Sequence, residues 1–435
     1  MAKAKKEAAL TPEERLQAAL VPDWEWPYRL PGNWCWTNLV ALSDIKTGKK
    51  DANYGCEDGA YYFFTCASEP LRCDGYSFEG KAILLAGNGD IGNISIYDGK
   101  FEAYQRTYVV SIHSPLITEY FYQYFKYRWV DYNKDKMFGT AIPYIRLGNL
   151  QEFSIPLAPL AEQQRIVDRI ERLFAKLDEA KEKAQTVLDS FETRKAAILH
   201  KAFTGELTAE WRKAHGVGME SWKGKTVDDI CRSLKYGTAK KSEPTGKVVV
   251  IRMGNLQHGE IVWDDLVYSN DSEDIEKYRL VEGDVLFNRT NSPALVGKTS
   301  IYRGEYPAIY AGYLIKLDYD RSQVVGDYLN YSLNTVAAKD YCNSVKTDGV
   351  NQSNINAKKI GAYKMPIPLM PEQTEIVRIL DDLFAKERQA KEAAEAVLEK
   401  IDLMKKSILA RAFRGELGTN VPNDEPAVEL LKKII

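Results

Sequence analysis

Cysteine and histidine are scarce in this sequence, which has six cysteines and four histidines among 435 residues. No two cysteines form a CxxC pair, and no two histidines have a spacing that would place them together on one helix face. Metal sites in proteins are commonly built from such closely spaced ligands. We therefore expect no metal site, and we expect the cysteines to be free, buried thiols in a reducing compartment.

Long apolar runs are also missing. Nowhere do about 18 consecutive apolar residues occur, which argues against a transmembrane helix. The opening MAKAKKEAAL is basic and has no apolar stretch of the kind that signal peptides contain. The sequence therefore predicts a cytoplasmic protein with no membrane partner.

An excess of positive charge is absent too. The formal net charge is −2, whereas a protein that binds nucleic acid on its own usually carries a strongly basic face. A nucleic-acid partner would require a local basic stripe or positive charge supplied by other subunits. The 45% of hydrophobic residues is ample for buried cores, and the length predicts two or three domains.

The sequence contains a long internal repeat. The segment that begins at Phe153 reads FSIPLAPLAEQQRIVDRIERLFAKLDEAKEKAQTVLDSFETRKAAILHKAFTGEL, and the segment that begins at Tyr363 reads YKMPIPLMPEQTEIVRILDDLFAKERQAKEAAEAVLEKIDLMKKSILARAFRGEL. Glu162 matches Glu372 at an offset of 210 (372 − 162), and this offset holds without a gap. Such agreement over a whole segment indicates two copies of one structural unit.

Each copy reads as one long helix, with Pro159 or Pro371 just ahead of it and Gly205 or Gly415 at its end. Apolar residues recur at alternating steps of four and three, a period typical of a left-handed coiled coil. In the first copy they are Ile166, Ile170, Leu173, Leu177, Ala180, Ala184, Val187 and Phe191. In the second copy they are Ile376, Leu380, Leu383, Ala390, Ala394, Val397, Ile401, Met404 and Ile408, with one interruption at Glu387. We expect the two helices to pair antiparallel.

The segments ahead of the helices repeat more loosely. YSFEGKAILLAGNGDIGNISIYDGKFEAY, from Tyr76, parallels YRLVEGDVLFNRTNSPALVGKTSIYRGEYPAIY, from Tyr278, and Ile145 matches Ile355 at the offset of 210. Both segments are rich in Tyr, Val and Ile with intervening Gly, which predicts short strands and turns. Each helix is therefore preceded by a strand-rich lobe.

Together these patterns predict an α+β chain with two similar strand-rich domains, separated by two long helices that form an antiparallel coiled coil with pseudo-two-fold symmetry. The predicted boundaries are 1–25 for a basic segment and short helix, 26–155 for the first lobe, 156–212 for the first helical region, 221–362 for the second lobe, 363–417 for the second helical region and 418–435 for a C-terminal tail. Two similar lobes that paired helices hold apart would suit a double-stranded nucleic-acid target that is bipartite and pseudo-palindromic.

The repeated motifs IPLAPLAEQQRIV and MPIPLMPEQTEIV, each followed by AFTGEL or AFRGEL, resemble the two conserved regions of type I restriction-modification specificity subunits. GELTAEWR, NDEPAVELLKKI and the second-lobe sequences VIRMGNLQHGEI and VEGDVLFNRTNS are also similar to that family. The resemblance covers nearly the whole chain from Trp34 onward.

The resemblance implies a DNA-recognition subunit without a catalytic site of its own. Each lobe would be a target-recognition domain that reads one half of a split site in double-stranded DNA. The helices would set the spacer and dock two methyltransferase subunits, and restriction subunits would join this core. S-adenosylmethionine, ATP and Mg²⁺ are expected on those partners, and no cofactor is expected on this chain.

Two glycine motifs invite a different interpretation. Gly87, Gly89 and Gly92 form a GxGxxG, and Gly297-Lys298-Thr299 resembles the end of a phosphate-binding loop. Both motifs require a helix directly after the glycines, but a strand is predicted after each. No pattern typical of an adenine methyltransferase, a nuclease or a nucleophilic hydrolase is present, which favours a reader without catalysis.

Base edges are read by Arg, Lys, Asn, Gln, Ser and Thr side chains on loops or helix ends, and phosphates are bound by Lys and Arg. The predicted DNA-binding residues of lobe one are Lys46, Lys49, Lys50, Asn88, Asp90, Asn93 and Arg106. Those of lobe two are Lys235, Lys240, Lys241, Arg252, Asn255, Gln257, Asn288, Arg289, Thr290, Asn291, Ser292, Asn351, Gln352 and Asn354. The run NRTNS at 288–292 stands out because it follows an apolar strand and because the alignment of the lobes has a gap there.

Two alternatives remain open at this stage. The chain could be a two-lobed coiled-coil adaptor or scaffold whose lobes bind polypeptide, and the near-neutral charge keeps that interpretation open. It could also belong to a system that only methylates and has no restriction subunit.

Overall fold

The computed structural model of the chain describes residues 11–350 and 352–435. These residues divide into two compact units. Unit 1 comprises the chain up to Ala184 together with Ala396–Ile435, and unit 2 comprises Gln185–Glu395. The chain is mixed α and β, with a strand-rich lobe in each unit and long helices, as the sequence predicts.

The first part of unit 1 contains α1 to α4 and β1 to β8. Its elements are α1 (Pro12–Ala19), β1 (Cys35–Asn38), β2 (Ser43–Thr47), β3 (Tyr61–Phe64), β4 (Leu71–Cys73), β5 (Phe78–Ala86), β6 (Ile94–Ala103), β7 (Thr107–Ile112), α2 (Thr118–Asn133), α3 (Leu147–Gln151), β8 (Ser154–Leu157) and α4 (Leu160–Asp189). Six strands form one sheet in the order β2-β7-β5-β6-β3-β4. All its pairs are antiparallel except the parallel pair of β3 with β6.

Unit 2 contains the remaining strands. Its elements are α5 (Phe191–Phe203), α6 (Ala209–His215), β9 (Lys223–Thr226), α7 (Val227–Ile230), β10 (Cys231–Tyr236), β11 (Val248–Ile251), β12 (Leu256–Gln257), β13 (Glu260–Ile261), β14 (Tyr268–Ser269), α8 (Ser272–Lys277), β15 (Val285–Asn288), β16 (Thr290–Asn291), β17 (Thr299–Ile301), β18 (Ala308–Tyr310), β19 (Leu314–Tyr319), α9 (Gly326–Leu333), α10 (Val336–Val345), β20 (Thr347–Asp348), β21 (Ser353–Asn354), α11 (Ala357–Gly361), β22 (Lys364–Ile367) and the first part of α12 (Met370–Ala412), whose residues from Ala396 onward belong to unit 1. The larger sheets have the orders β10-β19-β15-β17 and β14-β11-β18.

The C-terminal residues are part of the core of unit 1 and do not form a separate tail. Helix α13 (Ala427–Ile434) follows α12, and its Leu430 and Leu431 are buried with Trp36 in the main apolar cluster of unit 1. Aromatic side chains of α2 dominate this cluster, and Tyr124 and Phe125 pack against Phe153. Large buried rings contribute about 1.5–3 kcal/mol each to the stability of a core.

Each lobe joins its long helix in the same way. The strand before the helix pairs with a strand from the start of the lobe, β8 with β1 and β22 with β9. The Tyr120 hydroxyl donates a hydrogen bond of 2.6 Å to the Pro156 carbonyl in unit 1. In unit 2 the Tyr328 hydroxyl donates one of 2.7 Å to the carbonyl of Pro366, which is 210 residues after Pro156. The sequence repeat is therefore also a structural repeat.

The two copies of the helical segment differ from each other. The second copy is one helix, α12, as predicted, although Pro371 lies in its first turn and not ahead of it. The first copy is not one helix, because α4 ends at Asp189 and α5 begins at Phe191. At the break the Thr186 carbonyl accepts both a backbone hydrogen bond of 3.1 Å from Ser190 N and one of 2.6 Å from the Ser190 hydroxyl, a back-bonding pattern that often bends helices.

The helices pair antiparallel within each unit, as predicted. In unit 1, Asp178 of α4 accepts 2.6 Å from Lys405 of α12, and the earlier Arg165 donates 3.0 Å from Nε to the carbonyl of Thr419, which follows the end of α12, so the partner number falls as the residue number rises. In unit 2, Phe191 lies under Lys391, and the later Arg194 binds Glu387.

The predicted apolar seam is correct in the first copy and partly wrong in the second. All eight predicted positions of the first copy are buried or half-buried. In the second copy, the predicted Ala390, Val397 and Met404 are exposed, whereas Phe384 and Leu409 are buried. The row of positions in phase with Glu387 is buried as predicted at Ala394 and Ile401, whereas the other row lies one residue later than predicted, beginning at Phe384.

Two glycines end the helical regions as predicted, since Gly205 has φ 81° and Gly415 has φ 75°, values that favour glycine. The prediction of buried thiols holds for Cys35, Cys73 and Cys342 but is wrong for Cys56, which is exposed. Among the residues that the structure describes, no helix is both long enough and apolar enough to cross a membrane.

Candidate nucleic-acid interface

Two loops meet in the same way in each unit. In unit 1 the loop after β5 receives a backbone hydrogen bond of 2.9 Å from Ile145 N to the Gly87 carbonyl. In unit 2 the loop after β15 receives one of 2.8 Å from Ile355 N to the Arg289 carbonyl. Because Ile145 and Ile355 are 210 residues apart, the repeat builds one loop junction twice. Each junction carries several of the predicted DNA-binding residues.

In unit 2, the loop junction brings the run at 289–292 together with residues 352–354. Strands β16, β21 and β20 form a small antiparallel sheet, in which Thr290 pairs with Asn354. The Asn354 side-chain amide also donates 2.8 Å to the Thr290 hydroxyl. Asn291 and Ser292 are half-buried beside them, and Gln352 is exposed, while the predicted Asn351 lies outside the described residues.

Arg289 is held at the centre of this junction. Its guanidinium lies over the Tyr236 ring, 4.7 Å from the centroid, and its Nη1 donates 3.2 Å to the Gly312 carbonyl. Its Nε is buried and has no hydrogen-bond partner among the described residues. An arginine fixed by stacking and by one backbone contact loses little conformational freedom when its remaining donors meet an acceptor.

Two predicted asparagines direct their side chains into the protein. Asn288, the last residue of β15, is fully buried, and its side-chain oxygen accepts 3.3 Å from Thr290 N. Asn93 is half-buried and directs its amide inward, donating 3.2 Å to the Cys66 carbonyl and a further hydrogen bond to the Ala67 carbonyl. In this conformation both side chains shape the loops, and the prediction that they face DNA is corrected.

Asn255 is also a structural residue. It is buried, its side-chain oxygen accepts 2.9 Å from Arg252 N, and its amide donates 3.1 Å to the Val262 carbonyl and 2.9 Å to the Asp264 carbonyl. Turn-forming asparagines use their side chains in this way. Its hydrogen-bonding groups are occupied within the turn.

The neighbours of Asn255 are more accessible but already have partners. The Arg252 guanidinium donates 2.8 Å to the exposed Asp265 carboxylate. Gln257 donates 2.9 Å to the Gly254 carbonyl and accepts 2.8 Å from Lys298 Nζ. A contact from either side chain to DNA would require it to give up these partners.

The predicted phosphate-binding lysines have unequal surroundings. Lys46, Lys49 and Lys241 are exposed, Lys50 lies 4.3 Å from the Tyr54 ring centroid, and Lys235 pairs with Asp318 at 3.4 Å. Lys240 lies 2.8 Å from Asp271 and 3.5 Å from Asp274. The hydrogen bond that the Lys240 ammonium donates to the Asp271 carboxylate raises the pKa of Lys240. Two carboxylates therefore compensate the charge of Lys240, whereas Lys241 is exposed and forms no ion pair with any residue that the structure describes.

In unit 1, the loop junction contains an open cavity of about 570 Å³. Asn88 and Arg106, both predicted DNA-binding residues, line it together with Tyr144 and Arg146. Asp90 is exposed beside it, where its carboxylate accepts 2.9 Å from Gly92 N. The cavity combines two guanidinium groups with an aromatic ring, a set of groups that suits stacking and hydrogen bonding to nucleic acid.

Arg146 and Tyr144 are candidates that the sequence did not predict. The Arg146 guanidinium lies 4.0 Å from the Phe138 ring centroid and donates 3.1 Å to the Tyr144 hydroxyl. The 210-residue offset could have found this loop, because it matches residues 137–146 with residues 347–356 of unit 2. In that pair of segments, only polar residues of unit 2 are among the sequence-predicted candidates.

The glycine motifs lie in strand-turn-strand structure, as predicted. Gly87, Gly89 and Gly92 connect β5 to β6, which pair antiparallel. Gly297 and Lys298 directly precede β17.

Comparison with known sequences identifies a single family along most of the chain. A sequence profile described as type I restriction modification DNA specificity domain matches residues 32–188 and 219–400. The type I restriction enzyme EcoDI specificity subunit of Escherichia coli is 27% identical over 442 residues, covering 93% of this chain and 95% of that protein. The putative MjaX specificity subunit of Methanocaldococcus jannaschii is 30% identical over 222 residues, covering 48% of this chain and 52% of that protein.

Solved structures share the fold. The HsdS subunit of Thermoanaerobacter tengcongensis matches with a TM-score of 0.62 and 18% identity, covering 90% of this chain and 99% of that one. A chain from a structure describing complex assembly and conformational transition of a type I R-M system matches with a TM-score of 0.64 and 19% identity, covering 90% of this chain and all of that one. At these identities the similarity concerns the fold.

Proposed function

This chain belongs to the family of type I restriction modification DNA specificity domains, which recognise the DNA target within a restriction-modification complex, and we propose that each of its two lobes reads one half of a bipartite target. The observation that carries the proposal is the repeated loop junction. The same backbone contact, Ile145 to Gly87 and Ile355 to Arg289, supports a different set of polar side chains in each unit. A repeated scaffold with differing loops is suited to reading two different sequences.

The long helices would serve as the spacer and as the docking surface for two methyltransferase subunits. Antiparallel pairing within each unit and the continuous 43-residue helix α12 support this role, because a helix of this length spans about 65 Å. Restriction subunits would join the complex, and the complex would act in the cytoplasm. The adaptor interpretation has no support from the relatives, which are named as specificity subunits.

Catalysis would reside in the partner subunits. Adenine methylation needs S-adenosylmethionine, and DNA translocation and cleavage need ATP and Mg²⁺, so these ligands are assigned to the methyltransferase and restriction subunits. This chain would contribute the choice of site and would bind no cofactor.

Binding by the assembled complex tests the proposal. The chain co-expressed with its methyltransferase subunits should bind duplexes carrying the motif methylated in the source cells, and the affinity should exceed that for a scrambled duplex by about 10³-fold or more. Equal affinity for both duplexes at every salt concentration would contradict the proposal.

A further inference from the structure

One lysine of the helix pair recurs with the same aromatic contact in both units. Lys405 of unit 1 lies 5.2 Å from the Phe174 ring centroid, and Lys195 of unit 2 lies 5.8 Å from the Phe384 ring centroid. Both the lysines (405 − 195) and the phenylalanines (384 − 174) are 210 residues apart. Unit 1 therefore provides an internal control for the surroundings of Lys195.

The residue at the counter-ion position of this lysine differs between the units. In unit 1, Asp178 lies 2.6 Å from Lys405. The residue 210 positions after Asp178 is Arg388, so unit 2 has a cation where unit 1 has a carboxylate. Among the described residues, neither Lys195 nor Arg388 forms an ion pair or a hydrogen bond through its side chain.

The second lobe adds further positive charge next to Lys195. Burial lowers the pKa of Lys195, and the charges of Lys339 and Arg388 lower it further, while Glu192 and Glu260 act in the opposite direction. Glu260 also pairs with Arg303 at 3.4 Å. Cations that outnumber the carboxylates near them repel one another in the free protein, and this repulsion is relieved when an anion binds.

Lys298 and His258 extend this group toward the lobe. Burial lowers the pKa of Lys298, with a further contribution from Lys339. Burial also lowers the pKa of His258, and Lys195 and Lys298 are among the cations that act on it. His258 has φ 52°, an uncommon conformation for a residue other than glycine, at the turn between β12 and β13. We define the basic cluster as Lys195, His258, Lys298, Lys339 and Arg388.

We propose that the basic cluster of unit 2 binds the phosphodiester backbone of duplex DNA, and that unit 1 has no corresponding contact. The inference rests on the proposed role in DNA recognition. Lys298 donates 2.8 Å to Gln257, a predicted base-contacting residue, so the cluster continues from the predicted reading surface to the helices. Phosphate contacts that flank base contacts fix the orientation of the duplex without reading its sequence.

The test gives unit 2 the charge arrangement of unit 1. In Arg388→Asp, the introduced carboxylate should neutralise Lys195 as Asp178 neutralises Lys405. The complex with methyltransferase subunits is titrated with target and scrambled duplexes over a range of salt concentrations. For each phosphate that the variant no longer binds, the slope of log K against log salt becomes shallower by about 0.9. If one or two phosphates are no longer bound, a fourfold rise in salt should weaken the variant about three- to twelvefold less than wild type on both duplexes.

Two further variants make the result specific. Lys339→Gln removes a second cation of the basic cluster and should change the slope in the same direction. Lys386→Asp makes the same charge change on the same helix, at an exposed residue outside the cluster, and should leave the slope unchanged. The methylated motif should be that of wild type in all three variants.

Unchanged salt slopes in both Arg388→Asp and Lys339→Gln would overturn the proposal. Unchanged slopes together with weaker co-purification of the methyltransferase subunits would indicate that the cluster binds an acidic protein surface instead. Failure of the proposed function has a different signature, since the wild-type complex would then show no preference for the target, and the slopes on scrambled DNA would still test the cluster.

Discussion

Arg194 and Glu387 form an ion pair on the inner face of the helix pair in unit 2. Nε and Nη2 of Arg194 lie 2.9 and 2.8 Å from Oε2 of Glu387. The positions that correspond by the 210-residue offset are Met404 and Leu177 in unit 1. One helix pair therefore has a charged contact where the other has apolar residues. A polar pair in a coiled-coil seam restricts the register in which the helices can pair.

We expect Arg194→Met to lower the free energy of unfolding by about 1–3 kcal/mol, because Glu387 would keep its partial burial and lose its charged donor. The double variant Arg194→Met/Glu387→Leu should recover most of the loss, since it introduces the residue pair of unit 1. Urea-induced unfolding of the three proteins measures both effects. A double variant that is less stable than Arg194→Met would show that the pair has a further role in packing.

The buried carboxylates at the starts of α4 and α12 offer a second comparison. Glu372 accepts 2.7 Å from Arg212 Nη1 and 3.0 Å from Trp222 Nε1. Glu162, at the equivalent position, accepts 2.7 Å from Trp34 Nε1 and 2.8 Å from the Asn420 amide, with no arginine in contact among the described residues. The hydrogen-bond donors to Glu372 include a charged guanidinium, whereas the donors to Glu162 are neutral.

Glu372→Gln should destabilise unit 2 by about 3–5 kcal/mol, because it leaves the Arg212 charge buried without a counter-ion. Glu162→Gln should cost only about 1–2 kcal/mol in unit 1, since its donors are neutral. Tryptophan fluorescence during urea unfolding follows both, as each carboxylate binds an indole. Equal losses in the two variants would mean that the Arg212 charge is neutralised by other means.

The sequence predicted those features of the structure that depend on the internal repeat or on local residue types. The ungapped offset of 210 predicted both helical regions, their glycine ends and the correspondence of Ile145 with Ile355. The strands after Gly92 and Lys298 were also predicted, because local residue types decide them. A break at Ser190 was missed, since a hydroxyl bond to the preceding turn leaves no mark in the apolar period.

The individual polar residues of the loops were harder to predict. Asn255 and Asn288 have the residue type of a base contact, but whether an amide faces outward depends on backbone groups from distant segments. Asn255 binds the carbonyls of Val262 and Asp264, and Asn288 is covered by its sheet. Residue type alone does not distinguish an asparagine that stabilises a turn from one that contacts a DNA base.

Arg289 remains the predicted base contact of lobe two. Arg289→Ala should relax the preference at one position of one half-site by about 1–3 kcal/mol, the value of a bidentate arginine–guanine contact. Methylation of a library with single-base changes in the target measures the preference at every position. A uniform loss over all sequences, with a shallower salt slope, would instead identify Arg289 as a phosphate contact.

Lys241→Ala is the matched control for a phosphate contact. Lys241 is exposed and has no ion pair among the described residues. Its removal should weaken binding to all sequences alike and reduce the salt slope by about one. A change in base preference in this variant would contradict the division into base-reading and phosphate-binding residues.

The spacer role of the helices predicts the effect of insertions. Four residues inserted after Ala184 add about 6 Å of helix and, as a stutter, disturb the apolar seam little. Because base pairs rise by about 3.4 Å, the gap between half-sites should lengthen by one to two base pairs with unchanged half-site sequences.

A one-residue insertion at the same place is the control. It rotates later side chains by about 100°, which should take Val187 and Phe191 off the seam and abolish assembly with the methyltransferase subunits. Sequencing of methylated sites in cells reports the spacer in each variant. An unchanged spacer in a four-residue variant that still methylates would show that the helices do not set the distance.

The measurement that tests the central claim most directly is the methylated motif of a lobe exchange. Residues 221–362 are replaced by the corresponding lobe of a related specificity subunit, and methylated bases are mapped across the genome of cells that carry the hybrid and its methyltransferase subunits. If each lobe reads its own half-site, one half of the motif changes to that of the donor, and the other half stays as it was. A hybrid that assembles and methylates but changes both halves, or neither, would contradict independent reading by the two lobes.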